Sequence, residues 1–299
     1  MLDVVIIGSG PAGITAAIYA KRANLNVAVV EKEYLGTGQI AESSRVDNYP
    51  GIPGIDGYSL GEKFREHAES LGVEFTEAQV LSLGQKDGIW IIGCDEDITL
   101  ESKAVIYATG CKNRPLGVPG EEKYYGRGLS FCAVCDGAFY KGKRVAVIGG
   151  GDTALDDAMY LSDICEKVYL VHRREFFRGS ASTFEKLKQK ENVEIIVNAR
   201  VEEITGDKKI DGIILDNKTK LNISGLFAAV GMIPQTELLK EFGVLDESNY
   251  VKASEDTKTT VNGLFAAGDV RTKQLRQVVT AAADGANAIY SVMEYLRNI

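Results

Sequence analysis

Cys132 and Cys135 form the one C-x-x-C pair of the chain, in the segment LSFCAVCDG at 129–137. A dithiol stores two electrons and cycles with its disulfide, so redox exchange is the first chemistry this spacing suggests. Asp136, next to Cys135, is the kind of group that moves the proton which thiol–disulfide exchange must move. Ser130 is placed to cap a short helix with Cys132 in its first turn, where the helix N-terminus favours the thiolate. The competing use is structural zinc, which needs four ligands, as two such pairs or one pair with nearby histidines. With only His67 and His172 available and no second pair, no metal site is expected. The plain alternative is two packing thiols with Asp136 in a turn. Cys94, Cys111 and Cys165 follow no spacing and read as filler, Trp90 as packing and His67 as a helix-face residue.

The second chemistry is nucleotide binding. Residues 3–13, DVVIIGSGPAG, run from an apolar strand into G-x-G-x-x-G; a helical stretch and a second strand follow, ending at Glu31. That is the dinucleotide-binding βαβ unit. Gly8 permits the tight turn, Gly10 lets the helix N-terminus approach a pyrophosphate, and Gly13 lets helix and strand pack closely. Glu31 is placed to accept hydrogen bonds from a ribose.

A second copy occupies RVAVIGGGDTA at 144–154, then a helix and the strand KVYLVH ending at His172. The register that lays Gly8 on Gly149 and Gly13 on Ala154 lays Glu31 on His172. The acid has thus become His172-Arg173-Arg174, with Arg178 one turn on. An acid at that point suits a free ribose 2′-hydroxyl, whereas a basic cluster suits a 2′-phosphate, so the second copy is read as an NADPH site. The alternative is a solvated basic strand end. The first copy is left for another dinucleotide. The turns after strands 104–107 (Ala108-Thr109-Gly110) and 264–267 (Gly268-Asp269) have the small residues that close approach of a cofactor such as FAD needs, although each also fits an ordinary strand end.

These units must be carried by an α/β scaffold. The chain has 299 residues, 45% of them hydrophobic and 25% charged, enough for two packed cores and unlike a disordered or fibrous chain. The net charge of −8 argues against nucleic acid or an anionic membrane as partner. An acid precedes only four apolar residues at the N-terminus, unlike a secretory signal, and the cysteines are odd in number, so a cytoplasmic protein is expected. Strands alternate with helices, with β-meanders expected among the strands, and 277–296 has helical periodicity. The smaller unit reads as inserted into the larger. The expected domains are 1–113 with 241–299, and 114–240, linked through KNRPLGVPG at 112–120 and a second break at 239–247.

In order, GSGPAG, GQ, DNYPG, ATG, RGLSFCAVCDG, GGGDTA, HRREFFR and GDVRTKQLRQVVTAAADG resemble the low-molecular-weight, bacterial-type thioredoxin reductases over essentially the whole chain. The resemblance implies two Rossmann-like domains of the pyridine nucleotide-disulfide oxidoreductase type, a homodimer, and electron flow from NADPH through FAD and Cys132–Cys135 to thioredoxin. It implies FAD contacts from Gly8, Gly10, Pro11, Ala12, Gly13, Glu31, Gly38, Gln39, Asn48, Ala108, Thr109, Gly110, Gly268, Asp269, Arg276, Gln277 and Val278. NADPH contacts would come from Gly149, Gly151, Asp152, Thr153, His172, Arg173, Arg174 and Arg178. Cys135 matches the flavin-proximal thiol, Cys132 the thiol that attacks thioredoxin, and Asp136 the acid. The family also rotates one domain against the other, with the two links as hinges.

The chain departs from the family at three places. Glu31 is acidic where some members are neutral, GTGQ replaces GGQ, and Ala138-Phe139 replaces two phenylalanines in the thioredoxin groove. Other readings are a dithiol oxidase, a ferredoxin- or flavodoxin-linked reductase, a reductase of another small redox protein, and a non-catalytic NADPH-binding redox sensor. The basic cluster argues against the oxidase, and the presence of both the cluster and C-x-x-C argues against the ferredoxin and flavodoxin types.

Overall fold

Residues 4–7 are buried on both faces, with a strand on each side, helices over one face and the core around Trp90, Leu239 and Val251 over the other. In the computed structural model, which describes residues 1–33, 38–43 and 45–299, Leu2–Ile7 lies inside a seven-stranded sheet. Val27–Glu31 and Thr99–Tyr107 flank it, both parallel, and Glu74–Glu77 adds outside Val27–Glu31. The long strand Thr99–Tyr107 serves two further neighbours. Its first half pairs antiparallel with Ile89–Cys94, which continues into Val80–Lys86. Its second half pairs parallel with Leu264–Ala266, so distant parts of the sequence meet in one sheet.

Helix Pro11–Arg22 makes the crossover between Leu2–Ile7 and Val27–Glu31. Proline at its start and Lys21 and Arg22 in its last turn suit its ends. It packs against Val278–Leu296, the helix expected at 277–296, which starts one residue later because Gln277 is its N-cap in a capping box with Thr280.

The second sheet has five parallel strands in the order Val193–Ile196, Lys167–Val171, Arg144–Ile148, Gly225–Ala228 and Leu129–Ser130. Helices Asp152–Ser162 and Ala181–Lys188 belong to it. A three-stranded antiparallel meander, Val201–Thr205, Gly212–Leu215 and Lys220–Asn222, completes the unit. Both sheets therefore carry the βαβ element that the glycine motifs predict.

The chain divides into Met1–Lys112 with Ile233–Ile299, and Asn113–Met232. The second crossing thus falls at 232–233, earlier than the break expected at 239–247. The reason is packing: Leu239 and Val244 are fully buried beside Trp90 and Leu264, so this stretch is core of the first unit. After the first crossing, residues 116–118 are pinned by Glu121, whose carboxylate accepts hydrogen bonds from the backbone N–H of Leu116 (3.1 Å) and Val118 (2.9 Å). Trp90 is packed against Phe242, and His67 is exposed on helix Gly57–Ser70. Cys94, Cys111 and Cys165 are buried free thiols. Among the described residues no helix is long and apolar enough to cross a membrane.

Candidate redox and dinucleotide sites

Cys132 and Cys135 are joined as a disulfide at the start of the short helix Ala133–Asp136. Cys132 itself is the N-cap, its sulfur accepting a hydrogen bond from Cys135 N–H at 3.2 Å. Ser130 is not the cap. It ends the edge strand Leu129–Ser130, and its hydroxyl donates to Asp136 Oδ2 at 2.6 Å. Burial pushes the Asp136 carboxyl above the usual range, and the Ser130 hydrogen bond opposes the shift. Asp136 thus holds its proton more tightly than a free carboxyl would, next to a cysteine. Val134 and Phe139 are exposed beside the disulfide (60% and 42%), and so is Ala138. No group of three or more metal-ligating side chains is assembled among the described residues.

In the first unit the dinucleotide motif lies at the carboxyl ends of the parallel strands, the usual crevice of such sheets. Gly8 has φ +107°, and a Cβ there would stand 2.5 Å from the Ala108 carbonyl oxygen, so two strand ends approach as only glycine allows. Gly10 caps helix Pro11–Arg22 with open space over it, with Ala12 and Gly13 buried in its first turn. Ala108 N–H bonds to Ile7, and Thr109 donates to the Gln235 carbonyl at 2.8 Å, fixing the turn that ends in Gly110. Gly268 lies against Ala12. Asn48 donates to Gln277 at 2.8 Å, and Val278 packs beside Ile40, just after Gly38 and Gln39. In GTGQ, Gly36 and Thr37 lie outside the described residues.

Three atoms of this crevice test whether FAD fits. Glu31 Oε2, Gln39 Nε2 and Asp269 Oδ1 are buried with no hydrogen-bond partner; each such group costs about 1–3 kcal/mol if left so. All three belong to residues that the family resemblance assigned to FAD, and the fourth such atom among the described residues, Trp90 Nε1, lies in the core. Two acceptors and one amide donor suit the hydroxyls and heteroatoms of a dinucleotide. The residues present fit the group.

Their supports are side chains that the sequence did not reveal. Arg65 pairs with Glu31 Oε1, leaving Oε2 for a ligand. The Arg276 guanidinium lies over the Tyr250 ring at 4.2 Å and donates to the Asp269 carbonyl at 3.3 Å. Asp284, 2% exposed, accepts from Gly268 N–H, Arg271 Nε and Lys273 Nζ at 2.8, 2.8 and 2.9 Å, and from Arg271 Nη2 at 2.6 Å. One signal of Asp284 was visible, a lone acid on the apolar face of 278–296. Burial pushes Asp269 up to about 6.

In the second unit Gly149 and Gly151 make the turn into helix Asp152–Ser162, and Asp152 and Thr153 open the helix, exposed. Asp152 accepts from Ser180 N–H at 2.7 Å, and Arg178 N–H bonds to the Gly150 carbonyl at 2.7 Å. The loop 173–180 is thereby folded onto the glycine turn. His172 faces inward: it is buried, its Nε2 lies 3.2 Å from the Phe176 carbonyl, and its ring packs on Phe177. Burial, with the neighbouring arginines, lowers its pKa, so it is neutral at pH 7 and positions the loop. A Cβ on Gly150 would overlap that imidazole, which explains the middle glycine that the motif leaves open. The charge at this site is carried by Arg173, Arg174 and Arg178, all exposed and without an ion pair among the described residues.

Two dinucleotide folds and a C-x-x-C disulfide define the class of pyridine nucleotide-disulphide oxidoreductases, whose family model matches residues 2–285. The thioredoxin reductase of Bacillus subtilis is 38% identical, covering 99% of this chain and 95% of its own. A 34.2 kDa protein in the rubredoxin operon of Clostridium pasteurianum is 39% identical over 99% and 97%. The crystal structure of thioredoxin reductase from Streptococcus pyogenes superposes with a TM-score of 0.94 at 40% identity, covering 100% and 99%. The chain belongs to the low-molecular-weight thioredoxin reductase family, as a flavoprotein oxidoreductase with a redox-active cysteine pair.

Proposed function

We propose that this protein is an NADPH-dependent thioredoxin-disulfide reductase, homodimeric and cytoplasmic. The observation that carries the reading is the Cys132–Cys135 disulfide with Asp136 beside it, in the same unit as the three unpaired arginines. The domain 113–232 would take NADPH, and the domain built from 1–112 and 233–299 would take FAD. FAD supplies a relay between hydride transfer and a two-electron dithiol.

Glu31 and Asp269 offer acceptors, and Gln39 a donor, to that cofactor, while helix Pro11–Arg22 offers its positive N-terminus to a pyrophosphate. Arg276, Gln277 and Val278 line the start of helix Val278–Leu296, with Asn48 holding Gln277. In the other domain helix Asp152–Ser162 plays the same pyrophosphate role. Arg173, Arg174 and Arg178 bind the 2′-phosphate, with His172 beneath them.

Once the disulfide is reduced, the Cys132 thiolate attacks thioredoxin's disulfide, forming one mixed disulfide and releasing one thioredoxin thiolate. Cys135 then attacks Cys132 sulfur; the internal disulfide re-forms and the second thiolate leaves. The two protons given up by Cys132 and Cys135 end on thioredoxin, and Asp136 carries them. Val134 and Phe139 offer apolar surface beside the disulfide, where Ala138 leaves less than a second phenylalanine would.

The test is NADPH consumption with and without thioredoxin. Thioredoxin-dependent turnover with NADPH, and far slower turnover with NADH, is the expected result; equal rates with both nucleotides would refute the reading of the arginines. Cys132→Ser should keep reduction of the flavin by NADPH and lose thioredoxin turnover.

A further inference from the structure

Ser130 stands at a junction that the redox chemistry just proposed does not use. Its hydroxyl oxygen, in a side chain only 6% exposed, lies 2.6 Å from Asp136 Oδ2, 3.1 Å from Cys132 N and 3.3 Å from Cys132 O. A hydroxyl has one proton to give and two lone pairs to accept with. When Asp136 is ionised, Ser130 donates to the carboxylate and accepts from Cys132 N–H. When Asp136 is protonated, its O–H donates to Ser130, and the Ser130 proton turns to the Cys132 carbonyl. In both states Ser130 is then bonded to Asp136 and to the Cys132 peptide with the same heavy-atom positions.

We propose that Ser130 is a positioning residue for the proton of Asp136, holding that carboxyl against the Cys132 peptide and completing its hydrogen bonds in both charge states. A proton then moves on and off Asp136 without rearrangement of the disulfide helix. Cys132, whose peptide N–H and C=O both face Ser130, feels each change through its own backbone. The inference rests on the reading of Asp136 as the proton carrier.

Few other charges compete at this point. Tyr140, in the turn after the disulfide helix, has its ionisation pushed up by burial and by the Asp136 charge. Helix Asp152–Ser162, which packs on the disulfide helix through Tyr160 and Leu161 against Gly137, brings Asp156, Asp157 and Tyr160. Asp157 is pushed up to about 7, by burial and then by Asp156, so its titration has to be separated from that of Asp136.

The experiment is an infrared pH titration of the carboxyl band in the oxidised holoenzyme, with Asp136→Asn and Asp157→Asn to assign the two signals. The pH profile of thioredoxin reduction is measured on the same proteins. Ser130→Ala should move the Asp136 midpoint up by about one pH unit, since a donor to the ionised form is lost. The alkaline limb of kcat should move with it, while reduction of the flavin by NADPH stays unchanged. Ser130→Thr, which keeps the hydroxyl, should return both midpoints toward wild type, and it carries the test should the alanine variant fold poorly. An unchanged infrared midpoint in Ser130→Ala, or a threonine variant that behaves like alanine, overturns the inference. An Asp136→Asn enzyme with an unaltered kcat profile would instead overturn the role of Asp136, a separate failure.

Discussion

Replacing Asp284 by asparagine removes one negative charge and leaves two buried cations facing a neutral amide. The carboxylate now meets Arg271 through both oxygens, Lys273 through one, and the Gly268 N–H. Breaking a buried pair by deleting one partner costs about 3–5 kcal/mol. At about 2–4 °C per kcal/mol for a unit of this size, melting of the first unit should fall by roughly 10 °C. The pH dependence follows from the sign of the shift. Burial pushes the Asp284 carboxyl up, but the hydrogen bonds and charges of Arg271 and Lys273 outweigh it, and the net pKa lies below the ordinary value. A group whose folded pKa is lowered stabilises fully above its unfolded pKa, about 3.9, and loses that contribution as pH falls through the folded value. The gap between wild type and Asp284→Asn should therefore be constant from neutral pH down to about 4 and close below it. Calorimetric melts of the holoprotein across that range measure it. A drop under about 2 °C at neutral pH, or a gap that stays open in acid, would refute the buried ion cluster as a source of stability.

Three further outcomes follow from the two nucleotide sites. Replacing Arg174 and Arg178 together by glutamine should raise KM for NADPH by about 100-fold and leave KM for NADH nearly unchanged, read from steady-state rates; equal effects on both would remove the 2′-phosphate from their role. Gly150→Ala, whose methyl group would overlap the His172 ring, should abolish tight NADPH binding in a calorimetric titration while FAD content stays at wild-type level. Asp269 titrates near 6 in the folded chain against about 3.9 when unfolded, so the apoprotein should lose about 3 kcal/mol of stability as pH rises from 4 through 6. Asp269→Asn should erase that slope in urea unfolding of the apoprotein, and a slope that survives would assign it to another group.

Much of the molecule was legible because its signals are local. Each glycine turn sits between an apolar run and a helical period, and the repeat fixed the register that lays His172 on Glu31. Cys132, Cys135 and Asp136 are adjacent in sequence, so their proximity needed no fold. The supports were hidden because they come from elsewhere in the chain: Arg65 to Glu31, Tyr250 under Arg276, and Asp284 under Gly268 depend on packing between elements. Serine just before a helix is usually its cap, which is why the sequence suggests that role for Ser130; here a part-buried carboxyl six residues on takes its hydroxyl instead. The second crossing was misplaced for a related reason. The stretch 239–247 lacks a strong period, yet Leu239 and Val244 are apolar residues that fill the first core.

The double service of strand Thr99–Tyr107 bears on how the chain is made. Its second half pairs with Leu2–Ile7 on one edge, but the other edge has no partner until Leu264–Ala266 has been synthesised, and helix Pro11–Arg22 waits for Val278–Leu296. At about 5–20 residues per second, that interval is roughly 10–40 s on the ribosome. The intervening segment 113–232 holds all five strands of its own sheet and is free to fold first. A nascent chain would thus carry a finished second unit and a bare sheet edge, the situation in which chaperones are needed.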